Sequence, residues 1–216
     1  MAPYLLQVTN LCRFFGEFQA VKPVDFKIDA GEIVILTGPN GAGKTTLLSC
    51  ISGIMRPTRG VILVDGFDLY REEVSAKQRL AYVPDVPRFY PSLTTWEHMQ
   101  FISLAFGVRR DWEARAENAL CQFGLWESRN LYPHNLSRGM RLKLGISLAL
   151  IRPCKVLVMD EPASALDPES VLLLQEKLTD MRKNGCAILM TSHDLGLVEV
   201  LQAKRWRIES GQLDVG

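Results

Sequence analysis

Gly38-Pro39-Asn40-Gly41-Ala42-Gly43-Lys44-Thr45-Thr46 follows the pattern G-x-x-x-x-G-K-[ST], a loop that cradles phosphate. Before it, Glu32-Ile33-Val34-Ile35-Leu36-Thr37 reads as a short buried strand. After it, Thr45-Thr46-Leu47-Leu48-Ser49-Cys50-Ile51 reads as the first turns of a helix. A strand, a glycine loop and a helix start form the context that the motif requires. Glycine lets the backbone wrap closely around an anion, so that successive N–H groups point inward. The helix N-terminus adds free donors and the positive end of its dipole. Lys44 would reach the terminal phosphates, and the Thr45 hydroxyl would hold magnesium. Leu47, Leu48, Ile51 and Ile54 recur at helical spacing, which predicts a helix running to Gly53 or shortly beyond, before Pro57.

The chain of 216 residues has room for one large domain, or for a core with an inserted subdomain. Its apolar share of 47% and charged share of 23% are ordinary for a globular protein. A net charge of +1 gives no electrostatic footprint for a nucleic-acid binder, so no nucleic-acid partner is expected. Cys12, Cys50, Cys121, Cys154 and Cys186 are scattered with no C-x-x-C pair, and Cys50, Cys154 and Cys186 sit in or beside apolar stretches where packing is their default role, which suits a reducing compartment rather than a disulfide framework. The first residues show no secretory leader, and no apolar run approaches the ~18 residues of a membrane span. The chain itself is therefore expected to be soluble.

Outward from the loop, residues 4–18 and 20–28 read as antiparallel strands that precede the nucleotide-binding core. Phe14-Phe15-Gly16 ends the first of them, and an aromatic there would either stack on a nucleotide base or pack in the core. Residues 60–66 form a strand closed by an Asp-Gly turn. Leu80-Ala81-Tyr82-Val83-Pro84-Asp85 forms another, broken by Pro84 and Pro87. From 93 to 132 the pattern turns helical. Thr94 or Thr95 would cap one helix, with Met99, Ile102, Leu104, Ala105 and Phe106 on its apolar side, and a second would cover 112–123. Asn135-Leu136-Ser137 would cap a further helix carrying Met140, Leu144, Leu148 and Ile151 on one face. Two continuous apolar strands follow, 155–162 and 186–194, with a helix over 168–183 between them. Such strands alternating with helices predict a parallel sheet covered on both faces.

Asp160 and Glu161 end the first of these apolar strands. Two ionised carboxylates there would be costly unless a cation or hydrogen bonds compensate. Magnesium carried by a nucleotide is that compensation, and ligands of such sheets bind at the carboxyl ends of the strands. Asp160 would help to hold the metal, and Glu161 would polarise a water for attack on the γ-phosphate. His193 ends the next strand on the same sheet edge, where it would touch the γ-phosphate or position the water, or serve the structure alone. His98 and His134 have no acid or cysteine partners at metal spacing and read as surface or packing residues.

At this point the chain resembles the ATP-binding subunits of ABC transporters, over essentially its whole length. Leu136-Ser137-Arg138-Gly139-Met140 is similar to the family signature LSGGQ, and Ser164-Ala165-Leu166-Asp167 to its D-loop. His193 falls at the family's switch histidine and Phe15 at its adenine-stacking aromatic. The resemblance implies an α/β fold: a P-loop NTPase (RecA-like) core with an antiparallel β edge subdomain over 1–84 and 152–216, and an inserted α-helical subdomain over about 85–151. It further implies a homodimer, or a heterodimer with a second ATP-binding cassette, closed head to tail on two ATP molecules. Each nucleotide would lie between the loop Gly38 to Thr46 of one subunit and Ser137, Arg138, Gly139 and Asp167 of the other. Glu161 and His193 would be catalytic, with Thr45, Asp160 and Asp85 around Mg2+.

The chain departs from the family in two places, at three positions. Arg138 and Met140 replace the usual Gly and Gln, and Asp85 replaces a Gln that contacts magnesium and links the site to the membrane partner. Tyr82-Val83-Pro84-Asp85 and Ser137-Arg138-Gly139-Met140 resemble exporter forms. The implied role is thus to power a separate transmembrane permease from the cytoplasmic face of the cell membrane. A helix of the permease would enter a groove between Asp85 and Trp96, near Phe89 and Tyr90. Two rivals remain. A P-loop small-molecule kinase would not need the signature. A non-transport ABC ATPase acting as a mechanical module would carry coiled coils, tandem cassettes or basic surfaces, and none is visible in the chain.

Overall fold

The computed structural model describes residues 4–215, so the first three residues and the last of the expected 1–216 domain lie outside the described part. In chain order the elements are β1 (Leu6–Phe15), β2 (Phe18–Ile28), β3 (Ile33–Thr37), α1 (Lys44–Ile51), β4 (Arg59–Val64), β5 (Phe67–Asp68), α2 (Glu73–Arg79), β6 (Leu80–Val83), α3 (Thr95–Ala105), α4 (Trp112–Gln122), α5 (Arg138–Ile151), β7 (Val156–Met159), α6 (Pro168–Lys183), β8 (Ala187–Thr191), α7 (Gly196–Val200), β9 (Lys204–Glu209) and β10 (Gln212–Asp214). They build one sheet in the order β2-β1-β4-β5 and a second in the order β10-β9-β3-β8-β7-β6. Every pairing of the first sheet is antiparallel. In the second, β3 runs parallel to β8 and β9, and β8 parallel to β7. Every residue of β3, β7 and β8 is buried, as parallel strands covered on both faces require.

The chain forms two compact units. One takes in the residues up to Tyr82, Cys154–Glu161 and those from Lys177 onward; the other takes in Val83–Pro153 and Pro162–Glu176. In the first unit both sheets and α1 share one core, with Leu6, Leu11, Ile28, Val34, Leu36, Leu47, Ile62, Val158 and Leu189 all buried in it. Phe26 of β2 meets Trp206 of β9 edge-on at 4.9 Å, one of the contacts joining the two sheets. In the second unit α3, α4 and α5 pack on one another. Trp96 of α3 lies against Trp112 of α4 at 5.2 Å and against Trp126 at 5.8 Å.

Three expected core residues are on the surface: Ile54, Leu104 and Ala105. α1 ends at Ile51 and the chain turns out through Gly53, so Ile54 is 73% exposed. On α3 the buried stripe is Thr95, His98, Met99 and Ser103, which leaves Leu104 exposed. The stripe passes through His98 because both of its ring nitrogens are satisfied. Nε2 accepts the Tyr90 N–H at 3.0 Å, which makes Nδ1 the donor to the Thr94 carbonyl at 2.8 Å. Burial lowers the pKa of that imidazole and favours this neutral form. Thr94 is the cap of α3, in a reciprocal box with Glu97.

Candidate functional site

Within the first unit, the loop 38–46 joins β3 to α1. Gly43 is the N-cap of α1 at φ 106, and a Cβ there would lie 2.5 Å from the Ala20 carbonyl oxygen, so only glycine fits. No side chain caps α1 and its first turn holds no acid, which leaves its leading N–H groups to an anion. Ala42 donates to the Pro39 carbonyl at 3.2 Å and accepts from the Gly211 N–H at 3.0 Å, which ties the loop to the turn between β9 and β10. The buried Lys44 ammonium donates to the carbonyls of Gly38 at 2.7 Å and Pro39 at 3.1 Å. It is thereby folded back over its own loop. Asn40, Gly41 and Thr45 are exposed, and Thr46 is half-buried.

The acids at the end of β7 are built around a residue of β8. Thr191 is fully buried; its hydroxyl donates to Asp160 Oδ1 at 2.7 Å and accepts the Glu161 N–H at 2.8 Å. One hydroxyl thus holds both residues. Glu161 sits at φ 47, a left-handed conformation that costs an ordinary residue about 1–3 kcal/mol and collects at functional sites. Its Oε1 is buried and takes no hydrogen bond among the described residues, although His193 Nε2 lies 3.3 Å away. Burial pushes the Glu161 pKa up, while the nearby His193 and Lys44 pull it down. A carboxylate with a raised pKa and one buried oxygen lacking a hydrogen bond is suited to accept a proton from water.

Asp160 is 2% exposed. A buried carboxylate met by a hydroxyl is under-compensated, which fits a hard divalent cation. Asp160 and the exposed Thr45 hydroxyl are the oxygen donors of this unit that could hold magnesium with the phosphates. Phe15 lies at the end of β1, 43% exposed, with the Arg13 guanidinium 4.6 Å over its ring. In the strand register it stands opposite Phe18 of β2.

In the second unit, Ser137 caps α5, its Oγ accepting the Met140 N–H at 3.2 Å. That bond leaves the hydroxyl proton free. A Cβ on Gly139 would come within 2.7 Å of the Ala165 carbonyl oxygen, so glycine permits α5 and the loop 162–167 to touch. One and the same Asp85 oxygen, Oδ1, accepts from Arg138 Nη2 at 3.1 Å and from Ser164 Oγ at 3.0 Å. Asp167 caps α6 through the Ser170 N–H at 2.9 Å and meets Lys143 Nζ at 2.6 Å. Lys143 and then Ser170 hold its carboxyl well below the usual carboxylate range.

Thr191 and Lys143 hold candidate site residues in place, and motif reading passes over both. A signal existed for Thr191, the polar residue closing an apolar strand just before His193. None existed for Lys143, which is one of several basic residues on its helix.

A family model described as ABC transporter matches residues 21–164. The chain is 34% identical to the SkfA peptide export ATP-binding protein SkfE of Bacillus subtilis, over 90% of this chain and 81% of that one. It is 33% identical to the linearmycin resistance ATP-binding protein LnrL of the same organism, over 97% of this chain and 68% of that one. A solved ATP-binding subunit of an ABC transporter superposes with a TM-score of 0.90 at 30% identity, covering 98% of this chain and 90% of the other.

Proposed function

The chain belongs to the ABC transporter family as an ATP-binding subunit with ATPase activity, and from that premise we propose that two cassettes close on ATP to drive a separate transmembrane exporter. Each nucleotide is held by the loop 38–46 of one chain, with its adenine on Phe15, and is completed by Ser137, Arg138, Gly139 and Asp167 of the other. Thr45 and Asp160 would hold magnesium, which would supply neutralising charge to the phosphates. Lys44 draws on the same phosphates. Glu161 takes the proton of the attacking water, and His193, beside Glu161, orients that water against the γ-phosphate.

One observation carries the two-chain reading. At the start of α5 a free serine proton, the leading N–H groups and an exposed guanidinium form a phosphate receptor in a unit that contains no phosphate loop. Export is supported by the likeness to SkfE, a peptide export ATP-binding protein, and LnrL, a linearmycin resistance ATP-binding protein. Val86, Tyr90, Phe101 and Leu104 are exposed apolar side chains on α3 and the loop before it, the face that would receive a helix of the permease at the cytoplasmic surface of the membrane. Among the described residues no helix is long and apolar enough to cross a membrane.

Mixing tests the reading. Ser137→Arg blocks one half of the site and Lys44→Ala the other. Each variant alone should be inactive, whereas a mixed dimer keeps one intact composite site. Recovered ATPase activity in the mixture is the expected result; no recovery in the mixture would point to a site complete within one chain.

A further inference from the structure

Two of the three positions at which the chain departs from the family pattern, Arg138 and Asp85, are joined to each other. Arg138 Nη2 lies 3.1 Å from Asp85 Oδ1, and the Ser164 hydroxyl donates to that same oxygen at 3.0 Å. Three segments of the second unit meet on one carboxylate: the loop after β6, the first residue of α5 and the loop before α6. The contact is light. Arg138 is 60% exposed at its side chain and Asp85 39%, and Arg138 offers a single nitrogen rather than the paired fork of a strong guanidinium–carboxylate bond.

We propose that Asp85 is a positioning residue that keeps Arg138 in reserve, and that Arg138 exchanges Asp85 for the terminal phosphate of a nucleotide carried by a second copy of this chain. This rests on the two-chain site proposed above. The direction of exchange follows from charge. A phosphate group presents several oxygens and more negative charge than one carboxylate, and it matches the guanidinium fork. An exposed ion pair is weak enough to be traded. Ser164 stays on Asp85 after the trade, so the carboxylate keeps a donor. Asp85 therefore sets the nucleotide concentration at which the dimer closes, and Arg138 transmits its effect.

The test uses the full chain carrying Glu161→Gln, so that closure is not consumed by hydrolysis, and reads ATP-driven dimerisation by light scattering. Asp85→Asn should lower the ATP concentration for half-closure by about two- to fivefold, the range a single exposed ion pair can account for. In an Arg138→Gly background the same Asp85→Asn change should shift nothing. Arg138→Gln serves as a second background in case glycine loosens the first turn of α5. High salt should shrink the Asp85→Asn effect. An equal shift with and without Arg138, or no shift with Arg138 present, overturns the proposal while the two-chain reading stands. A Glu161→Gln parent that binds ATP and stays monomeric overturns both.

Discussion

The proposed phosphate half-site of the first unit and the proposed signature half-site of the second are made of different material. The first is backbone and burial: a loop that only glycine can close at Gly43, a lysine satisfied by loop carbonyls, and two acids held by the buried Thr191. The second is held largely by side-chain pairs, the exposed Asp85 with Arg138 and a half-buried Lys143 with the exposed Asp167, over one close approach at Gly139. Groups buried without an alternative partner are costly to disturb, whereas exposed pairs trade partners with water at little cost. The contrast suits the proposed labour. One half grips a nucleotide in a fixed geometry, and the other must be able to engage and release.

If that contrast is right, the largest losses come from the first half. Glu161→Gln should retain ATP binding and lower kcat by about 10² to 10⁴, the usual cost of removing a general base. Single-turnover ATPase assays at saturating ATP decide it; near-normal turnover would assign the proton to another group. The pH profile of the unaltered chain sharpens the point. Burial is the largest cause acting on Glu161 and raises its pKa. The base must be ionised to work, so the rate should fall on acidification at a pH above the ordinary glutamic acid value. The residual activity of Glu161→Gln should lack that limb.

A middle-sized effect separates the halves directly. Thr191→Val keeps the shape and removes the hydroxyl, which strands Asp160 Oδ1 and the Glu161 N–H. Each stranded buried group costs about 1–3 kcal/mol, read as lost stability in denaturant titration together with a lower kcat. Ser164→Ala removes a hydroxyl that also bonds an aspartate, but one in solvent. Its expected cost lies within about 0.5 kcal/mol. Equal losses at the two positions would erase the contrast.

The same difference explains what could be read from the chain. The apolar runs 155–162 and 186–194 predict buried strands, and β7 and β8 are buried at every position. Pro168 predicts a helix start, and α6 begins there. Burial and backbone conformation restrict residue choice, so they leave a pattern. Side-chain pairing between exposed residues does not. Arg138 and Asp85 are 53 positions apart, and no periodicity relates them. α2 went unread because it buries only Ala76, and β9 because its buried Trp206 and Ile208 alternate with exposed arginines. Ile54 and Leu104 show the converse failure. Each fits a helical spacing, yet tertiary packing ended α1 before the one and turned the face of α3 away from the other.

The smallest effect is also the most discriminating, because it asks to which half Asp85 belongs. The family resemblance expects Asp85 beside magnesium, where its charge would repel the triphosphate whenever the metal is missing. Asp85→Asn would then strengthen binding of metal-free ATP and flatten the dependence on magnesium. The structure instead gives Oδ1 of Asp85 two donors from its own unit. A carboxylate already facing a guanidinium has little net charge to offer or to withhold at a distance, and its removal should leave the metal dependence of the single chain as it was. We therefore expect ATP affinity, measured by calorimetry on monomeric protein with magnesium and with chelator, to change by the same factor in the unaltered chain and in Asp85→Asn. The Arg138-dependent change should appear only in dimer closure. A magnesium dependence that weakens in Asp85→Asn monomers would move Asp85 to the phosphate half-site and break the division between a buried half that grips and an exposed half that trades.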